Sequence, residues 1–154
     1  MAGEYSSASA LASELTKQLQ ATPQAFGKLI EGDVQLSRGN ARQAIQVYQE
    51  SARLLDQWLV HFDLARGYIA AGMYTEASTE LETCLKRRGE ATDIYLDEQQ
   101  TFRYFPATYY YMGRALEGLK SAGAADAYRG FLALKVPDAL DPMVEDAKKR
   151  LSKM

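Results

Sequence analysis

Two glycines, Gly39 and Gly72, stand 33 residues apart, and each is followed five residues later by an alanine, Ala44 and Ala77. The segments Gly39-Asn40-Ala41-Arg42-Gln43-Ala44 and Gly72-Met73-Tyr74-Thr75-Glu76-Ala77 have the same plan, a glycine turn and then an alanine on the next helix. Glycine leaves a helix through a left-handed conformation at little steric cost, so these positions read as helix ends. Between them, apolar residues recur at intervals of three and four, the helical period, and no segment alternates with period two. The chain is therefore expected to be all helical.

The spacing predicts helices over about 7–20, 23–38, 41–55, 57–71 and 74–87, the last stopping near Gly89. Leu11, Leu15 and Leu19 mark the first, and Thr22-Pro23 reads as an N-cap followed by proline at the first helical position of the second. Only four prolines occur, Pro23, Pro106, Pro137 and Pro142, which leaves long stretches open to helix. Asp141-Pro142 opens a last helix with acidic residues early and Lys148-Lys149-Arg150 late, matching the helix dipole. Met143, Val144, Ala147 and Leu151 form its apolar stripe.

With 154 residues the chain fits one domain, and Lys plus Arg (18) nearly balance Asp plus Glu (20) for a net charge of −2. That balance argues against a nucleic-acid binder, which clusters basic charge. No apolar run is long enough to cross a membrane, and residues 1–19 lack a basic start followed by an apolar stretch, so neither a span nor a secretory signal is expected. A lone cysteine, Cys84, excludes an internal disulfide and fits a reducing, cytoplasmic setting. It reads as a small core residue, and the lone His61, between Trp58 and Phe62, as a structural histidine. No phosphate loop, metal set or catalytic constellation is found, so neither a cofactor nor an enzymatic activity is expected.

The 33-residue pattern resembles the tetratricopeptide repeat, a helix pair of about 34 residues. Gly32, Gly39, Ala44 and Tyr48 carry it in a first repeat. Leu64, Ala65, Tyr68, Gly72, Tyr74, Ala77 and Leu81 carry it in a second, and Tyr109, Met112, Gly113, Ala124 and Tyr128 in a third. The chain departs from the family at Lys28 and Gln35, where aromatic residues are usual, and slips by one residue between Gly113 and Ala124. The resulting division is an N-terminal helix at 5–20, repeats at 25–57, 58–91 and 106–136, an insertion at 92–105 and a capping helix at 141–152. The insertion, with Asp93, Tyr95, Leu96, Phe102 and Phe105, is expected to add a short helical turn. Gly32 and Ala65 are expected to face Ala44 and Ala77 where paired helices cross.

The resemblance implies a right-handed superhelical stack of antiparallel helix pairs, whose first helices line a concave groove for a peptide or partner protein. The lining positions it implies are Leu29 and Asp33, then Phe62, Asp63, Arg66 and Ile69, then Tyr110, Tyr111, Arg114 and Glu117. Arg66 and Arg114 would pair with a partner carboxylate. The lysine and asparagine clamp that binds chaperone tails in this family is missing: Leu29, Asp33, Asp63, Ala107 and Tyr111 stand there. Residues 109–117 and 125–132 also resemble repeats at the ends of larger bacterial regulatory proteins. The alternative is accordingly a self-associating regulatory domain, a homo-oligomer joined through the insertion or Trp58.

Overall fold

The computed structural model describes residues 2–88, 90, 105–135 and 141–154. They form eight helices: α1 (Ala2–Thr16), α2 (Ala21–Ser37), α3 (Ala41–Leu54), α4 (Trp58–Ala70), α5 (Tyr74–Lys86), α6 (Pro106–Gly118), α7 (Gly123–Ala133) and α8 (Pro142–Leu151). No strand occurs among the described residues. Each helix packs chiefly on its neighbours in sequence, with the broadest contacts in the hairpins α1–α2, α2–α3, α4–α5 and α6–α7. The even-numbered helices also touch in series, α2 on α4, α4 on α6 and α6 on α8, whereas α3 does not reach α5 and α5 does not reach α7.

The glycine exits form as the sequence implies. Gly39 and Gly72 adopt φ values of +81° and +75°, and the residue after each donates its N–H back into the helix, Asn40 to Gln35 O and Met73 to Tyr68 O. The α6–α7 hairpin makes the same turn without glycine. Lys120 takes φ +55° and Ser121 N–H bonds to Leu116 O, in a conformation unfavourable for a residue with a Cβ.

Three helix boundaries differ from the sequence reading, and the first helix already begins at Ala2 rather than near Ser7. The first helix ends at Thr16 rather than near Gln20, because the chain must reverse before α2, and Leu19 falls in that turn at 95% exposure. The second helix begins at Ala21, with Gln20 rather than Thr22 as its N-cap. Pro23 is tolerated at the third helical position because the first four N–H groups of a helix have no partner within it. At α8 the expected cap is present, Asp141 Oδ1 accepting from Met143 N at 2.9 Å. Gly89, expected to stop the fifth helix, and residues 92–104, expected to add a helical turn, lie outside the described residues.

Three apolar clusters run along the array. Leu29, Ala44, Ile45, Tyr48, Val60 and Leu64 join the first hairpins. Trp58, Phe62, Ala65, Ile69, Ala77, Leu81 and Cys84 fill the middle. Tyr110, Tyr128 and Phe131 meet Val144 and Ala147 of α8, with Met143 and Leu151 alongside. The atoms nearest to a Cβ built at Gly32 belong to Tyr48, with Cε1 at 2.2 Å. Gly113 stands in the same relation to Tyr128, at 2.6 Å. The hairpins thus close through a glycine-to-tyrosine notch, which helix periodicity does not announce. Ala77 is fully buried in the middle cluster, so Ala77→Leu is expected to lower stability by about 1–3 kcal/mol, read as an earlier thermal unfolding transition.

Candidate functional site

The series α2, α4, α6 and α8 forms one face of the array, and the ten residues expected to line a groove lie on its first three helices. The structure divides them. Leu29, Phe62, Ile69 and Tyr110 are buried in the apolar clusters, and Asp63 is buried at 5% exposure. Asp33, Arg66, Tyr111, Arg114 and Glu117 keep part of their surface in solvent. The buried ones are covered because successive even helices touch, a tertiary fact that a helical period does not reveal.

Two polar networks lie on this face. In the first, Arg66 Nη1 donates to Asp33 Oδ1 at 2.8 Å and to Asp63 Oδ1 at 2.6 Å, and Tyr48 Oη donates to Asp33 Oδ1 at 2.7 Å. Burial, reinforced by the Asp33 charge, pushes the Asp63 carboxyl up to about 7, although Arg66 pulls the other way. Burial also raises the Tyr48 phenol far above its ordinary value, so it remains a donor. For Arg66, burial opposes the charge, but Asp63 and Asp33 outweigh it and the guanidinium stays charged.

In the second network, Glu117 Oε2 accepts from Tyr128 Oη at 2.7 Å and from Arg150 Nη1 at 2.8 Å. Asp146 Oδ2 accepts from Arg150 Nε and from Tyr110 Oη, the latter at 2.7 Å. Arg114 Nη1 donates to Tyr110 Oη at 3.3 Å. The sequence reading missed Tyr48, Tyr128, Asp146 and Arg150. One signal was available: Asp33 and Arg66 are separated by 33 residues, and so are Glu117 and Arg150. In both cases a carboxylate on one even helix takes a tyrosine from its own hairpin and an arginine from the next even helix. Arg150 is therefore tied into the array, whereas Lys149 of the same basic run is exposed.

Between the networks lies an aromatic joint. Phe62 meets Phe105 edge-on with centroids 4.9 Å apart and Tyr111 at 5.4 Å, and Tyr111 meets Tyr110 at 5.1 Å. Phe105 also packs against Trp58 at 5.5 Å. Trp58 is buried, which removes it as an exposed surface for self-association.

The other chemistry-bearing residues are engaged structurally. Cys84 is fully buried, and burial pushes its thiol up to about 11. His61 bridges α4 to α5, with Nδ1 2.6 Å from Glu80 Oε2 and Nε2 2.8 Å from Asp56 Oδ1. The Glu80 hydrogen bond is the main cause of its raised pKa, against burial, with Asp56 adding to it. A histidine raised above its unfolded value contributes stability fully below about pH 6.5, and that contribution is lost as pH rises through the folded value. Urea unfolding is thus expected to show the chain losing stability across the neutral-to-alkaline range, with His61→Gln flattening that slope. Among the described residues, no group of three or more His, Cys, Asp or Glu is placed to hold a metal ion, and no helix is long and apolar enough to cross a membrane.

Fold and site together define an all-helical array of sequential hairpins with a polar, aromatic-jointed face. No family model matches the chain, and no curated protein or solved structure matches it either.

Proposed function

We propose that the chain is a tetratricopeptide-like scaffold that binds an extended segment of a partner protein along the face of α2, α4, α6 and α8. The observation that carries this reading is the asymmetry of packing. Even helices touch in series while α3 and α5, and α5 and α7, stay apart. An array drawn together on one side and open on the other curves, and its even helices line the inside, as in repeat arrays that present concave binding surfaces. In this reading α1 and α8 are the caps, and the outward Glu145, Lys148 and Lys149 of α8 keep that end in water. The partner-facing residues are Asp33, Arg66, Tyr111, Arg114 and Glu117. The role is binding rather than catalysis: His61 is held in the bridge to Glu80 and Asp56, and Cys84 is buried in the core. The buried thiol of Cys84 suits a reducing cytoplasm.

The test is a random peptide library panned against the protein, followed by mapping of the bound peptides on the isotope-labelled chain by NMR. Shifts concentrated at Asp33, Arg66, Tyr111 and Glu117 are expected. Shifts concentrated on α3, α5 and α7, or a library that yields no binder, overturn the reading.

A further inference from the structure

Among the described residues, every half-buried arginine but one is matched by a carboxylate. Arg66, Arg87 and Arg150 each meet one at 2.8 Å or less. Arg114, also half-buried, meets none within ion-pair distance among the described residues, and its one hydrogen bond is the long contact to Tyr110 Oη. A guanidinium offers five N–H donors, so four have no partner among the described residues. The nearest candidates to receive them are committed: Glu117 is held by Tyr128 and Arg150, and Asp146 by Tyr110 and Arg150.

Arg114 opens into a cavity of about 230 Å³ lined also by Tyr74, Glu117, Gly118 and Arg150. Another part of the wall is the Tyr74 ring, which lies so close to α6 that a Cβ on Gly118 would sit 2.4 Å from its Cγ. The absence of a side chain at Gly118 is thus what admits the ring and shapes the recess. The cavity has a half-desolvated cation at one side, an aromatic surface at another and open access, on the same helix as Tyr111.

We propose that this cavity receives the carboxylate of an aspartate or glutamate side chain from the partner segment. The proposal rests on the reading of the even-helix face as the binding surface and names the chemistry one part of it selects. A carboxylate is planar and matches the edge of a guanidinium with two parallel hydrogen bonds. A phosphate dianion fits less well than a carboxylate monoanion, because the Glu117 carboxylate shares the lining and repels the greater charge more strongly. The Tyr74 ring packs the methylene stem that carries the acid.

The experiment uses acetylated, amidated peptides taken from the library binders, with one position varied as Glu, Gln or phosphoserine. They are titrated into the isotope-labelled full chain and into Arg114→Met, whose methylene stem preserves packing and whose folding is checked by circular dichroism. The Glu peptide is expected to shift the Arg114 Nε–H and Gly118 amide signals saturably. The Gln peptide is expected to bind about 10-fold more weakly, the scale of a lost charge-assisted pair, and Arg114→Met to erase that preference. Equal binding of Glu and Gln, a preference that survives in Arg114→Met, or a phosphoserine peptide that binds more tightly overturns the proposal. Peptides that still shift Asp33 and Tyr111 without any charge preference leave the scaffold reading standing and remove only this one. If no peptide shifts any even-helix residue, both fall.

Discussion

Gly32→Val is expected to destabilise the protein by about 3 kcal/mol and, at this chain length, to lower its melting temperature by roughly 6–12 °C. A Cβ at Gly32 would stand 2.2 Å from Tyr48 Cε1 and 2.5 Å from Cδ1. Tyr48 has no room to withdraw. It is fully buried, its hydroxyl is held by Asp33, and its ring also lies close to Gly67 across the hairpin junction. Valine at Gly32 would gain at most about 0.5 kcal/mol of helix propensity, which is smaller than the clash it creates. The control is Gly39→Ala, which meets no neighbouring atom and suffers only from its positive φ; its expected loss is about 1–2 kcal/mol. Equilibrium unfolding in urea reads both. A Gly32→Val chain as stable as the parent would show that the notch is not the closing contact of the first hairpin.

Arg66→Met is expected to cost about 3–5 kcal/mol above neutral pH, because it leaves the Asp63 carboxylate buried without its cation. The pH dependence supplies the signature. The Asp63 carboxyl is raised in the folded chain, so the native state binds its proton where the unfolded state has released it. Stability from this group is therefore greatest below the ordinary carboxylate range and declines as pH rises towards about 7. Removing Arg66 takes away the one nearby cation that favours ionisation, so the decline extends further into the alkaline range. The loss measured at pH 5 is expected to be clearly smaller than at pH 8.5. Adding Asp63→Asn to Arg66→Met is expected to restore most of the stability, since the group left unpaired is then neutral. A loss of equal size at both pH values, with no rescue by Asp63→Asn, would mean that Arg66 acts through packing alone.

The sequence announces what is local. The left-handed exits at Gly39 and Gly72 and the cap at Asp141 depend on a few consecutive residues, and all three are present in the structure. The end of α1 is hidden because neither glycine nor proline marks it, and Leu19 continues the apolar spacing into the turn. The exit at Lys120 is hidden because its residue type argues against the conformation it adopts. The candidate site was legible only in part for a related reason. Periodicity says which residues share a helix face, and the resemblance to the tetratricopeptide repeat placed Asp33, Arg66, Tyr111, Arg114 and Glu117 together with Leu29, Phe62, Asp63, Ile69 and Tyr110. Only the approach of neighbouring even helices decides which of these are covered. The tyrosines that close the hairpins, Tyr48 and Tyr128, carried a repeat signature, but their glycine partners emerge only in three dimensions.

The two kinds of joint on the even-helix face have different tolerances. A carboxylate bonded at once to a tyrosine below and an arginine beyond accepts one separation and one orientation, so α2–α4 and α6–α8 behave as fixed rungs. Between α4 and α6 the rings of Phe62, Phe105 and Tyr111 meet instead, and ring contacts survive small slides and rotations. The outer pairs are thus joined by directional ionic contacts and the central pair by the edges and faces of rings.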